Sequence, residues 1–364
     1  MNSKLAAGLL VATLVAAQSW QQALPGYKYN FPHDHFNHPD YATEWWYYTG
    51  NLRSADGHRY GYELTFFRQA VKLPADVEPD NKVWRPDELY LAHFALSDID
   101  NQTFFHTERL NRAGPGLAGA DVDGPAYWNG NWKVKWTSSS GAQTLEAVAQ
   151  DLTLKLDLTP AKPFVIHGLD GVSQKGVALG EASHYISFTR LDSHGTLTRD
   201  GKETAITGLS WMDHEFFTET IDETLSGWDW FAIQLNNGED LMLYRLRTKA
   251  GGISPYSSGT FVDAKGNARH LASTEFTLSP SGLWESAQSK GKYPLAWTVS
   301  IPSLGISLQE TTLLKKQELY LGGSVSPAYW EGAVDYEGRA HDKPVSGSGY
   351  LEMTGYAAPI RFGH

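Results

Sequence analysis

Apolar and polar positions alternate with period two along most of this chain, in short runs broken by Gly, Asn and Asp, and no stretch sustains a helical period. Runs at 89–96, 132–137, 145–149, 152–158 and 184–188 predict strands in the first half. Runs at 259–262, 274–278, 296–301, 307–310 and 349–354 predict strands in the second. The strongest signal is Glu44-Trp45-Trp46-Tyr47-Tyr48-Thr49-Gly50-Asn51-Leu52, answered after Asp56-Gly57 by an arm that runs from Tyr60 to Arg68. With a two-residue turn, Trp45 faces Arg68, Tyr47 faces Phe66 and Thr49 faces Leu64, while Glu44, Trp46, Tyr48, Glu63, Thr65 and Phe67 share the other face. A hairpin apolar on both faces must be covered on both, which suits a barrel wall packed on its outside by another element.

The pattern recurs. Gly227-Trp228-Asp229-Trp230-Phe231-Ala232-Ile233-Gln234-Leu235 leads through Asn237-Gly238 to an arm ending in Arg245-Leu246-Arg247. The same turn places Trp228 opposite Arg247, as Trp45 opposite Arg68, and predicts a duplicated all-β domain with a Trp–Arg cation–π pair in each copy. The domains are expected at 44–213 and 214–364, with the boundary near 208–216. Glu44 has no carboxylate counterpart in the second copy, where Gly227 takes its place, so chemistry is expected in or beside the first barrel.

Composition narrows the function. A net charge of −11 argues against a nucleic-acid partner. The 13 Trp and 18 Tyr suit surfaces for flat or apolar molecules, although aromatic-rich strands alone also account for them. The chain has no cysteine, which excludes disulfides, thiolate metal sites and cysteine nucleophiles. Residues 1–17 carry one lysine, a short apolar run and a small-residue end, a secretory signal pattern that predicts cleavage near Ala17, a secreted or periplasmic mature chain and no transmembrane segment. Residues 18–43 read as an extended entry segment. Its His33, His35 and His38 could hold zinc, but no fourth ligand is evident, and no metal site is assigned. Residues 74–86 read as a long loop or lid.

Four places combine ionisable groups with aromatic surroundings. Glu44, walled by Trp46 and Tyr48, is expected to have a raised pKa and to serve as a general acid, or else to accept hydrogen bonds at the barrel rim. His93 sits in an apolar strand and lines a barrel interior if its face points inward. The run Phe105-His106-Thr107-Glu108-Arg109 reads as a mostly solvated strand. In Trp211-Met212-Asp213-His214-Glu215-Phe216, Trp211, Asp213 and Glu215 share a face and His214 points the other way, the densest acid/base grouping in the chain. No G-x-S-x-G elbow, H-E-x-x-H, phosphate loop or dinucleotide fingerprint occurs. Asn101-Gln102-Thr103 fits a glycosylation acceptor.

The motifs EWWYYTGNL…GYELTFFR, YLAHFALSD, KPFVIHGLDG, WMDHEF, GWDWFAIQL and YWEGAVDYEG…GSGYLEMTGY together resemble the CrtC/AttH family, which includes carotenoid 1,2-hydratase, and sit closer to its AttH branch. The resemblance covers nearly the whole mature chain. It implies two lipocalin-like antiparallel β-barrels in tandem and an apolar, unsaturated substrate, of isoprenoid or lipid type, held among aromatics. Relatives hydrate an isoprenoid double bond or promote pericyclic cyclisations, and AttH members are associated with an envelope ABC transporter. Hydration requires a protonated carboxyl, aromatic faces for a carbocation and a base for water, with no cofactor. On this chain the resemblance points to Asp213 or Glu44 as acid and His214 or His93 as base, with Trp46, Tyr48, Trp211, Trp228, Trp230 and Arg68 at the ligand. Two other readings stand beside it: a non-catalytic carrier for a transporter, and a carbohydrate-active β-domain.

Overall fold

A computed structural model of the chain describes residues 19–71, 87–114, 116–218, 224–320 and 328–359. The expected signal segment at 1–17 and the expected lid at 74–86 lie outside the described residues. The described chain is built almost wholly of antiparallel strands, in one 13-stranded and one 10-stranded sheet with a separate two-stranded ribbon. Among the described residues no helix is long and apolar enough to cross a membrane.

Both sheets repeat one strand order. In the first, Thr43–Ser54 lies between its hairpin partner Arg59–Ala70 and the last strand of the unit, Lys202–Phe217, which is followed by Ala182–Arg199. In the second, Leu225–Leu235 lies between Asp240–Thr248 and the last strand, Lys343–Met353, followed by Tyr329–Ala340. The first sheet curls until its outer strands nearly meet. Arg109 donates to the Asn129 carbonyl at 3.2 Å, and the Asn111 amide to Asn129 Oδ1 at 2.6 Å. The second is a half-barrel. The chain passes from one sheet to the other between Phe217 and Leu225.

Both hairpins differ from expectation in the same way. Ser54 N–H donates to the His58 carbonyl and Leu235 N–H to the Glu239 carbonyl, so each loop has three residues and ends in a glycine at positive φ, Gly57 (+89°) and Gly238 (+86°). One added loop residue shifts the register by one. Arg68 therefore faces Glu44, Trp45 faces Phe67, Arg247 faces Gly227 and Trp228 faces Leu246. The proposed Trp–Arg pairs do not form. A shift of one also exchanges faces, so Glu44, Trp46 and Tyr48 share theirs with Leu64, Phe66 and Arg68, and point into the first barrel.

That barrel is filled. Trp46, Tyr48, Tyr62, Phe66, Tyr90, Phe94, Tyr127, Trp132 and Trp136 pack with Leu145 to Leu158 into one buried core. The second sheet has its own core, around Phe231, Trp297, Trp330 and Tyr336. A third cluster joins Tyr47, Tyr185 and Trp211 to Trp230, Tyr244, Ala333 and Tyr350, and lies between the sheets. There Arg59–Ala70 packs on Tyr329–Ala340, and reciprocally Ala182–Arg199 packs on Asp240–Thr248. The approach is close: a Cβ on Gly61 would lie 2.8 Å from the Ala333 Cβ.

Candidate active site between the sheets

The faces that meet between the sheets are the outer face of the first hairpin and its neighbours and the matching face of the second sheet. Strand alternation sends Tyr47, Glu63, Thr65, His93, Trp211, Asp213 and Glu215 to this side from the first sheet, and Trp228, Trp230, Tyr329, Glu331, Tyr350 and Glu352 from the second. His93 was expected to line a barrel interior if its face turned inward. It faces out instead, with Nδ1 2.7 Å from the Tyr329 hydroxyl. Most of these groups are buried, but Trp45, Phe67, Trp228, Glu352 and Lys175 are only partly so.

Asp213 is the most heavily bonded of them. Tyr185 donates to Oδ2 at 2.5 Å, Trp211 Nε1 to Oδ1 at 2.6 Å, and Ser187 also to Oδ1. Trp230 Nε1 donates in turn to the Tyr185 hydroxyl at 3.0 Å, tying both sheets to one carboxyl. Burial drives the Asp213 pKa up and the three donors restrain it, leaving it at about 7. Beside it Ser183 donates to Glu215, and Lys175 lies 3.4 Å from Glu215 and 4.2 Å above the Tyr244 ring.

Three more carboxyls face the same space. Glu63 Oε1 accepts from Thr65, Glu331 Oε1 from Tyr47 across the sheet boundary, and Glu352 from Trp228. Burial raises the pKa of all three well above the carboxylate range, and their mutual repulsion raises Glu331 further. At about 8, Glu63 and Glu352 favour the acid form at neutral pH, and Glu331 is shifted in the same direction. Glu63 Oε2 and Glu331 Oε2 are buried with no protein partner, so each has a polar atom free for a ligand.

The remaining expected residues lie on the other side of the first sheet. Glu44 Oε1 sits 2.7 Å from His38 Nδ1 and 2.8 Å from His214 Nε2, and its Oε2 accepts the His38 backbone N–H at 2.9 Å. Burial raises the Glu44 pKa, but His38 and His214 outweigh it and bring it to about 2. Glu44 is thus a buried carboxylate and not a protonated general acid. His214 points away from Asp213, as the strand alternation predicted, and its pKa is lowered chiefly by burial. Trp46 stacks between Tyr127 and His214 at 4.9 and 5.1 Å, and Tyr48 bonds Tyr127 and Gln143, so both belong to the barrel core. Arg68 clamps Glu88 at 2.7 Å and the Tyr41 carbonyl at 3.0 Å.

Sequence reasoning missed Glu63, Thr65, Tyr185, Ser187, His167, Lys175, Glu331 and Glu352 as site residues. The signal it could have used was a carboxylate on an apolar strand face, present at Glu63, Glu331 and Glu352. His167 Nε2 lies 2.7 Å from Ser187 Oγ, but its Nδ1 meets Thr260 and not Asp213, which bonds the serine directly. The group therefore lacks the order of a nucleophilic triad.

Residues 22–356 match the AttH-like family. The chain belongs to that family. A solved AttH-type protein from Nitrosomonas europaea is 32% identical, covers 92% of this chain and 99% of its own, and superposes with a TM-score of 0.82. Kievitone hydratase from Nectria haematococca shares the fold, with a TM-score of 0.71 over 94% of this AttH-like chain and 97% of its own at 16% identity. The dehydratase asqC of Emericella nidulans is 25% identical over 149 residues, which are 40% of this chain and 42% of that protein. The chain thus matches less than half the length of that curated relative.

Proposed function

We propose that this AttH-like protein adds water to, or removes it from, an unsaturated apolar small molecule of isoprenoid or lipid type, by acid/base chemistry without a cofactor, in the space between its sheets. The observation that carries this reading is the set of carboxyls there: Glu63, Glu331 and Glu352 held as acids, beside Asp213 poised near neutrality, among Trp211, Trp228 and Trp230. Environments that push carboxyl pKa values apart set acid and base roles. Glu331, with Oε2 free, donates its proton to one alkene carbon, so that a C–H bond forms and the O–H bond breaks. Aromatic faces stabilise the positive charge left on the neighbouring carbon. Asp213, bonded at three of its lone pairs, uses the fourth to take a proton from the incoming water as the C–O bond forms. Proton exchange with solvent at the partly exposed side of the site resets both carboxyls. A relative named a hydratase and another named a dehydratase, opposite directions of one class of reaction, support the reaction class.

Export through the N-terminal segment and hand-over to an envelope transporter belong to the same proposal. The test is incubation of the full chain with a panel of prenylated and isoprenoid compounds in oxygen-18 water, read by mass spectrometry. Gain of one labelled water in the wild type and its loss in Glu331→Gln is the expected result. Tight binding without any turnover would favour a carrier. Retention on a polysaccharide with no apolar binding would favour the carbohydrate reading.

A further inference from the structure

On the opposite face of the strand that carries Asp213, three chain segments converge on one point. His38 comes from the N-terminal segment, Glu44 from the first hairpin and His214 from the last strand of the first sheet. Their donor atoms all lie within 4.8 Å of one another, and the residues are at most 5% exposed.

We infer that His38 Nδ1, Glu44 Oε1 and His214 Nε2 form a binding site for one divalent transition ion of the zinc type, which staples the N-terminal segment to the barrel. The donor set, two imidazoles and a carboxylate, is one that zinc accepts and that calcium or magnesium does not favour. The surroundings orient each donor. Asp34 Oδ1 stands 3.4 Å from His38 Nε2, longer than a hydrogen bond, yet its negative charge favours the proton on Nε2, which turns the Nδ1 lone pair to the centre. The ring of His38 is held by Phe216 stacked at 3.5 Å, and that of His214 by Trp46. Glu44 Oε2 is fixed by the His38 backbone N–H, which leaves Oε1 for the centre.

Charge agrees. Arg68 approaches Glu44 Oε2 at 3.7 Å, but Glu88 already holds that guanidinium at 2.7 Å, so Glu44 and Asp34 leave two negative charges for a dication. Donor separations of 2.7 and 2.8 Å must widen to about 3.3 Å around a tetrahedral ion with bonds of about 2 Å. Small rotations of the two imidazoles about their side-chain torsions provide that. Burial leaves no route for a substrate, so the ion is structural and separate from the space between the sheets.

The rival arrangement is an outer group, His33, Asp34 and His38, of which His33 is exposed. The full chain, stripped with chelator, is titrated with zinc chloride by calorimetry and assayed for bound metal. Expected are one zinc per chain, a rise in melting temperature with added zinc, undiminished uptake in His33→Asn and a loss of affinity of about 10–100-fold in Asp34→Asn. Copper(II) loaded in place of zinc then reports the coordinated imidazoles by electron spin-echo modulation. Two imidazoles in His33→Asn support the inner site and need no substitution in the core. One imidazole there places the ion in the outer group and overturns the inference. No uptake by the wild type overturns it as well, and leaves a hydrogen-bonded ion cluster.

Discussion

Arg59 and Asp240 occupy equivalent positions, each two residues beyond the turn glycine of its hairpin, and each forms an ion pair with the opposite sheet, with the signs reversed. Arg59 meets Asp335 at 2.6 Å, whereas Asp240 meets Lys162 at 2.7 Å and Arg190 at 2.6 Å. The Asp240 side chain is fully buried and the Arg59–Asp335 pair is partly solvated. Asp240→Asn leaves two cations against an uncharged group and is expected to cost about 3–5 kcal/mol. Arg59→Ala is expected to cost about 0–1 kcal/mol. Urea unfolding at neutral pH checks both, and equal losses would contradict the difference in burial.

Asp213→Asn tests the base. The amide keeps the volume and one acceptor oxygen but turns an NH2 toward donors, so a stability loss of about 1–3 kcal/mol is expected. Turnover of any substrate found in the labelled-water assay should fall about 100-fold or more. Tyr185→Phe removes one donor to the same carboxyl. It is expected to raise the midpoint of the acidic limb of the pH–rate profile, where Asp213 loses its proton, while the protein remains folded.

The buried glutamates predict how stability depends on pH. A carboxyl whose folded pKa lies above its unfolded value of 4.5 binds more protons folded than unfolded in the interval between the two, so stability falls as pH rises through it. Glu331→Gln is permanently neutral and near in shape. Melting temperatures measured from pH 5 to pH 9 should decline less steeply in the variant, with the two proteins close together at the acidic end. A steeper decline in the variant would show that Glu331 is ionised when folded.

Gly61 and Ala333 test how closely the sheets meet. Gly61→Ala forces a methyl to 2.8 Å from the Ala333 Cβ and is expected to destabilise by about 1–3 kcal/mol. Ala333→Gly in the same chain should recover part of that loss, a coupling that two unrelated surface changes would not show.

Strand positions were legible because period-two patterning reports which side of a sheet is covered. The strand Ala296–Ile301 and most of Leu152–Pro160 coincide with their runs. Register was not, because Asp56-Gly57 and Asn237-Gly238 suit both a two-residue turn and the last two positions of a three-residue loop. That single residue decided whether Trp45 or Glu44 faced Arg68. The division of Asp213 from His214 followed from alternation alone. Their partners did not, since Tyr185 reaches Asp213 and Glu44 reaches His214 from strands that only the fold brings alongside, and a carboxylate on a strand gives no hint whether water, an imidazole or another carboxyl will face it.

The reciprocal packing of the sheets bears on ancestry. Arg59–Ala70 against Tyr329–Ala340 and Ala182–Arg199 against Asp240–Thr248 are the same contact made twice, in the manner of an isologous dimer folded into one chain. A single-unit ancestor would have met its own copy through this face, with two identical sites related by a twofold axis. Fusion of such an ancestor would release the halves from identity, so that one could keep Asp213 while the other gathered Glu331 and Glu352.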